Sequence, residues 1–466
     1  MRHFRILVAA NGMSAYGSYL NLVALNVFVY HLTESAFLAG LFMAVRLLTS
    51  VAAGFVSGAL VSRVDRKRLM IGADLSQATA LVAMLLAPES VDLAALFGLA
   101  LIAGTCSTLS QVSLRSSIPE IVGAEHRAKA NASLVTARSL AMIAGFASSG
   151  VVVSEWGYTA AFVLDAITFT VSALVLSLLP IRTRAEASAP EGPEPAEGTG
   201  KQRWAALVLL RSMPLVALMI AVRAADGLGS SSHNVALPVY SAGLDPADPA
   251  VFISQFWATW ALGNIAAQVV LERYVKKAGR TPGERVFALG ACAMSLMFIL
   301  VFSGLPTPLA VAVALLAGMA DGLTEIAYVS RLQSTPDEQR GRLFGLSASA
   351  ENAGFGLGML VSAALLERFT PLQVVAAFHG SAILLCAGLL VLLVRRGAGQ
   401  RRGGAASDGR EPSEARGPDG RQPTAEASGA APPAPEDRRP DRASRSAATA
   451  GAAAPPDARG PDSERT

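Results

Sequence analysis

The chain has 466 residues, of which 52% are hydrophobic and 16% charged, with a formal net charge of +4 at pH 7. A mean hydropathy of +0.43 is too high for a water-soluble domain, and the small basic excess calls for no nucleic-acid partner. Residues 397–466 contain no large apolar side chain, so the first 396 carry all of that apolar content.

Windows of about 20 residues, the length that crosses a bilayer, give twelve candidate spans. In chain order they lie near 6–30, 37–61, 69–87, 93–114, 133–154, 158–180, 214–240, 251–272, 285–304, 308–330, 343–366 and 371–394. Asn11, Tyr16, Tyr19, Asn21 and Asn26 make the first too polar for a signal-peptide core, so it is read as a retained helix. The predicted fold is an all-α polytopic membrane protein.

Lysine and arginine collect on alternate loops. Arg2 and Arg5 precede the first span; Arg63, Arg66, Lys67 and Arg68 follow the second; Arg273, Lys276, Lys277 and Arg280 follow the eighth; Arg395 and Arg396 follow the twelfth. The opposite loops carry acids and almost no base, Arg368 excepted. The positive-inside rule then puts both termini in the cytoplasm and the chain in the inner (plasma) membrane. Cys106, Cys292 and Cys386 fall inside spans, without CxxC spacing, and are read as small core residues. No cofactor or metal is expected.

Residues 185–203 are rich in Pro, Ala, Gly and Glu and read as a disordered linker. They separate an N-terminal six-helix bundle, 1–184, from a C-terminal one, 204–396, which opens with a short interfacial helix at Arg203–Arg211. Residues 397–466 read as a disordered cytoplasmic tail.

The two halves resemble each other. Ala103-Gly-Thr-Cys-Ser107-Thr-Leu-Ser-Gln111 in the fourth span aligns with Ala317-Gly-Met-Ala-Asp321-Gly-Leu-Thr-Glu325 in the tenth; Asn21 in the first aligns with Asn234 in the seventh. Such a duplication encloses a cavity near the bilayer midplane. Asp321 and Glu325, four apart, share one helical face inside an apolar run. Two carboxylates there cost about 2.5–3.5 kcal/mol each on insertion scales, and the first half places Ser107 and Gln111 at the equivalent points. The added charge suits an asymmetric task such as proton binding; neutralisation by a neighbouring helix for packing alone is the plain alternative.

Arg115-Ser-Ser-Ile-Pro119-Glu120, Ala130-Asn131-Ala-Ser and Trp156-Gly-Tyr-Thr-Ala-Ala-Phe162-Val-Leu-Asp165, with Gly341-Arg342, resemble the major facilitator superfamily over residues 5–396. The resemblance is nearest the branch of macrolide-efflux and enterobactin-exporter-like proteins. It implies two pseudo-symmetric bundles of six transmembrane helices that rock about a central site. The family's loop motif after the second helix reads here Gly58-Ala-Leu-Val-Ser62-Arg63-Val-Asp65-Arg66-Lys67-Arg68, with Ser62 where the family has an acid. By resemblance Arg63, Asp65 and Arg66 are candidates for a latch between the halves; topology signal alone is the other reading.

Further candidates follow from charge inside spans. Asp226, Asp321 and Glu325 are candidates for proton coupling. Arg223 sits one turn from Asp226, at a spacing that lets one helix hold an ion pair. Asn21, Arg46, Arg223, His233, Asn234 and Trp257 are candidates to line a substrate cavity. Arg138 and Glu351, equivalent in the two halves, are candidates to pair across them in one conformation, as a gate; each pairing within its own half is the plain alternative. Asp74 and Asp165, near span ends, read as structural. No G-x-x-x-x-G-K-[ST] loop is present, which disfavours ATP-driven transport. The chain is not read as an enzyme. Its expected partners are the lipid bilayer, a small amphiphilic substrate and protons, and it is read as a monomer. A proton-antiporting exporter is the expected function; an importer, or a non-transporting sensor or scaffold of the same fold, is the alternative.

Overall fold

The computed structural model describes residues 2–88, 92–180, 211–278, 282–335 and 337–407. They form one compact unit within Met1–Ala406. The expected linker and most of the expected interfacial helix lie outside the described residues, as does the tail from 408 onward.

Eleven α-helices and one short 3-10 turn (Ala124–His126) make up this unit: α1 (Arg2–Thr33), α2 (Ala36–Arg63), α3 (Arg66–Leu85), α4 (Asp92–Val122), α5 (Arg127–Leu178), α6 (Pro214–Leu244), α7 (Pro249–Ala278), α8 (Glu284–Val301), α9 (Thr307–Gln333), α10 (Asp337–Leu366) and α11 (Pro371–Ser407). α5 is two passes in one. Gly157 breaks its helical path at φ 76°, ψ 176°, a conformation that glycine alone enters without steric cost, and the two limbs match the fifth and sixth spans of the sequence. α11 runs to Ser407, past the point where the sequence suggested that order ends.

Local signals explain several helix starts. The Ser35 hydroxyl accepts from the Leu38 amide, and the Asp65 carboxylate from the Arg68 amide, which satisfies donors left open at a helix N-terminus. Prolines sit in the first turns of α6 and α9, where the missing N–H is not needed.

Among the described residues, seven stretches are long and apolar enough to cross a membrane by length and composition, including Ala36–Ser57, Lys129–Leu178, Thr307–Gln333 and Pro371–Arg395. Among the described residues, α1, α3, α7 and α10 fall short on polar and charged content, although many of those polar side chains point inward. Ser14, Asn21 and Asn26 of α1, Asp74 and Gln77 of α3, Ser254 of α7, and Ser347 and Ser362 of α10 are all buried. Averaged hydropathy cannot see that rotation. The outside of the unit is apolar in turn: Phe55, Leu384 and Leu178 are 84%, 75% and 74% exposed, a surface that lipid covers.

Packing repeats between the halves. α1 packs on α5 as α6 does on α10, α2 on α4 as α7 on α9, and α3 on α4 as α8 on α9. At the second of these crossings a Cβ on Gly104 would strike the Arg46 carbonyl oxygen, and one on Gly318 the Trp260 carbonyl oxygen. The alignment of the fourth and tenth spans is therefore a real equivalence of helix crossings.

The halves meet through α5 against α7 and α2 against α10. Phe146 of α5 packs on Trp257 of α7, ring centroids 5.7 Å apart. At the loop side of that interface, Glu367 accepts from the Ser35 hydroxyl (3.0 Å) and the Phe37 amide (2.9 Å), capping α2 from the other half. These contacts lie toward the face opposite the N-terminus.

Candidate functional site

Charge converges in the second half. Arg223 of α6 is buried, and its guanidinium reaches three carboxylates: Nη1 donates to Asp226 Oδ2 at 2.8 Å, and Nη2 to Glu325 Oε2 at 2.9 Å and Glu351 Oε1 at 2.8 Å. The Asp226 contact is the one-turn pair expected from the sequence. The other two come from α9 and α10, so one cation ties three helices. The Tyr328 ring lies 5.6 Å from the guanidinium carbon, a cation–π contact, and the Tyr328 hydroxyl is 2.5 Å from Ser347 Oγ. One turn before Glu325, Asp321 Oδ2 accepts from Asn264 of α7 at 3.2 Å. Three carboxylates on one guanidinium leave an excess of negative charge. Asp226 is buried, while the side chains of Glu325 and Glu351 remain 48% and 40% exposed.

In the first half the positions of Asp321 and Glu325 are neutral, Ser107 and Gln111, and that of Glu351 is Arg138. Gln111, which aligns with Glu325, accepts from Arg138 Nη1 at 2.6 Å, and Arg138 Nε donates to the Tyr19 hydroxyl at 3.0 Å. Ser50 bonds Thr108 at 2.5 Å, next in sequence to Ser107, which aligns with Asp321. A cavity of about 400 Å³ opens beside them, lined by Tyr19, Arg46, Asp74, Gln111, Arg115 and Arg138 among others. That is within the size range of small-molecule sites.

Several sequence expectations change here. Arg138 and Glu351 do not pair with each other: Glu351 is held by Arg223 of its own half and Arg138 by Gln111. Arg66 likewise bonds Glu120 and the Ser116 carbonyl of its own half, and Asp65 caps α3, while Arg63 is exposed in the last turn of α2. Ser62's side chain lies outside the described set. His233 is buried, away from the lining of the large cavity. It bonds His379 of α11 at 3.1 Å and stacks on Phe298, centroids 4.0 Å apart. Trp257 packs between the halves, and Asn234 bonds the Ser230 carbonyl of its own helix. The three cysteines are free thiols.

Arg46 does line the cavity, and it also lines an adjoining chamber with Asn21. Asp74 and Asp165, read from sequence as structural, lie at these two spaces as well. Asp165 is 2% exposed and accepts from Asn21 Nδ2 at 2.7 Å. A signal for Asp165 was present: an acid in an apolar run with no lysine or arginine in its own span.

Comparison with known proteins agrees with the fold. A model of the Major Facilitator Superfamily matches residues 7–335. The Uncharacterized MFS-type transporter YjbB of Bacillus subtilis (strain 168) is 22% identical over 341 residues, covering 72% of this chain and 82% of that one. Among solved structures, the nucleoside transporter NupG superposes with a TM-score of 0.65 at 15% identity, covering 84% of this chain and 99% of that one. An auto-inhibited POT family peptide transporter gives 0.65 at 11%, covering 85% and 97%. A bacterial homolog of the human lysosomal transporter Spinster gives 0.58 at 14%, covering 84% and 95%. At these identities the structural likeness speaks for the fold alone.

Proposed function

Because the chain belongs to the Major Facilitator Superfamily, we propose that it is a secondary exporter, carrying a small amphiphilic molecule outward in antiport with protons. That it is a multi-pass membrane transporter follows from the family. Direction, coupling ion and substrate class are the proposal.

The observation that carries it is the cluster at Arg223. Three acids share one cation, so binding or loss of a proton at Asp226, Glu325 or Glu351 redistributes the pairing without leaving the guanidinium bare. The arrangement offers a change of partner, linked to a proton, that spans α6, α9 and α10. Asp321 lies on the same face of α9 as a further acceptor. A hydrophobic cation is the substrate such an excess of carboxylate favours; of the classes the sequence resemblance implies, macrolide-like antibiotic, siderophore or other metabolite, the basic macrolides fit that chemistry best. With both termini cytoplasmic, as the basic loops ask, the halves touch on the outer side and the cavity opens inward. A cytoplasmic molecule has access to it in this state. Exchange of one inward proton for one outward monovalent cation moves no net charge, so the pH gradient drives it, at about 1.4 kcal/mol, or tenfold in concentration ratio, per pH unit.

The test uses everted membrane vesicles energised by respiration. Candidate hydrophobic cations, added to vesicles that contain the transporter, are expected to accumulate inside and to release protons from the lumen, and a protonophore abolishes both. Glu325→Gln copies the first half's own residue and is expected to preserve folding while uncoupling uptake from the proton gradient. Accumulation insensitive to the protonophore would overturn proton antiport. Uptake only in the opposite direction would overturn export.

A further inference from the structure

Asp165 sits on the second limb of α5, in the half to which no proton task has been given. Its Oδ2 accepts from the Asn21 amide of α1, and Oδ1 is 3.4 Å from the Thr168 hydroxyl of its own helix. Beside it is a chamber of about 20 Å³, lined by Asn21, Arg46, Gln77 and Phe169 among others. That is room for about one water molecule. Ser18, Arg46, Gln77 and Phe169 line both the chamber and the 400 Å³ cavity. The carboxyl is therefore buried among polar side chains, beside a chamber with room for about one water that shares its wall with the larger cavity.

The charged groups that face Asp165 are Arg46 from α2 and Asp74 from α3. Among the described residues, neither Asp165 nor Asp74 makes an ion pair within 4.0 Å. A bare carboxylate inside a membrane bundle carries a large desolvation cost. It is relieved by a proton or by a cation that moves in. Arg46 lines both spaces, so its side chain is the cation within reach. In the second half another titratable pair, His233 of α6 and His379 of α11, lies 3.1 Å apart.

We propose that Asp165 is a second proton-binding site, in the first half, loaded from the cavity through the chamber beside Arg46. The proton comes from chamber water and sits on Oδ1, the oxygen that Asn21 does not hold. When it leaves, Arg46 turns from the cavity to the carboxylate and replaces it as counter-charge. Loss of the proton thereby withdraws a cation from the cavity wall. The role in transport rests on the proton coupling proposed above; the binding site itself does not.

The experiment is infrared difference spectroscopy of the full-length protein in lipid, stepped between low and high pH, with proton uptake per chain followed by a pH dye. Wild type is expected to show the C=O stretch of a protonated carboxylic acid that disappears on raising the pH. Asp165→Asn is expected to lose that component and to take up one proton fewer, and Asp165→Glu to restore both. Arg46→Gln, which keeps the acid and removes the cation facing it, is expected to change the pH range of the band. That variant keeps the proposal testable if Asp165→Asn fails to fold, as judged by gel filtration. Unchanged uptake in folded Asp165→Asn, or a band indifferent to Arg46→Gln, would overturn the site. Antiport instead fails on protonophore insensitivity of the wild type, whatever Asp165 does.

Discussion

Gly104 lies against the Arg46 carbonyl in the first half, and Gly318 against the Trp260 carbonyl in the second. Around these shared crossings the chemistry diverges. Gln111 meets Arg138 in a single neutral-to-charged hydrogen bond, where Glu325 joins Asp226 and Glu351 on Arg223. Duplication has preserved the surfaces that hold helices together and left free the side chains turned to the interior. In a fold of this kind, backbone approach tolerates no added atom, whereas a residue at a cavity wall changes as soon as its neighbours supply a partner. Packing is the inherited part and charge the acquired part.

The largest expected effect breaks that contrast at its centre. Arg223→Met leaves three carboxylates without their cation, and losing one partner of a buried ion pair costs about 3–5 kcal/mol. Part of that is screened, since Glu325 and Glu351 are half exposed. Arg138→Met removes an exposed guanidinium from a neutral partner and should cost less than about 1 kcal/mol. Thermal unfolding of the two purified variants in one detergent measures the difference. Equal losses would mean that the acids of the second half are not held by Arg223.

Intermediate in size is the effect of Gly104→Ala and Gly318→Ala. Each places a methyl group where a carbonyl oxygen already sits, and overpacking of this sort costs about 1–3 kcal/mol. Because the crossing is shared, the two losses should agree within a factor of about two, the scatter normal for such terms. A large loss in one half alone would show that the equivalence of the fourth and tenth spans is confined to sequence.

Much of this architecture was legible in the residues. The spans, the break near Gly157 and the one-turn pair Arg223–Asp226 depend on order along the chain, which sequence displays directly. The convergence of Glu325 and Glu351 on Arg223 was not legible, because it depends on how α9 and α10 are rotated toward α6. His233 illustrates the same limit. Its polar surroundings of Ser230, Ser231, Ser232 and Asn234 suggested a cavity wall, yet His379, distant in sequence, claims it in the packed interior. Asp165 failed for a third reason: nearness to a span end says nothing about which way a side chain faces.

The smallest effect lies where the halves touch. Glu367 crosses from the α10–α11 turn to the N-terminus of α2, accepting from Ser35 and the Phe37 amide. Ser154, near the corresponding position of the first half, bonds the Val151 carbonyl of its own helix and, among the described residues, nothing in the other half. The outer closure is thus as asymmetric as the charge cluster, but built from an exposed carboxylate. An anion at a helix N-terminus contributes about 0.3–1 kcal/mol at the surface and is screened by salt. Glu367→Gln removes the charge and keeps an acceptor, so it should shift the balance toward outward opening by at most about fivefold at low salt, and less at high salt. Ser154→Ala should shift nothing. Distances between spin labels placed across α2 and α10 read that balance. A Glu367→Gln shift that persists unchanged at high salt would make the contact steric instead of electrostatic, and a matching shift in Ser154→Ala would restore symmetry to the outer closure.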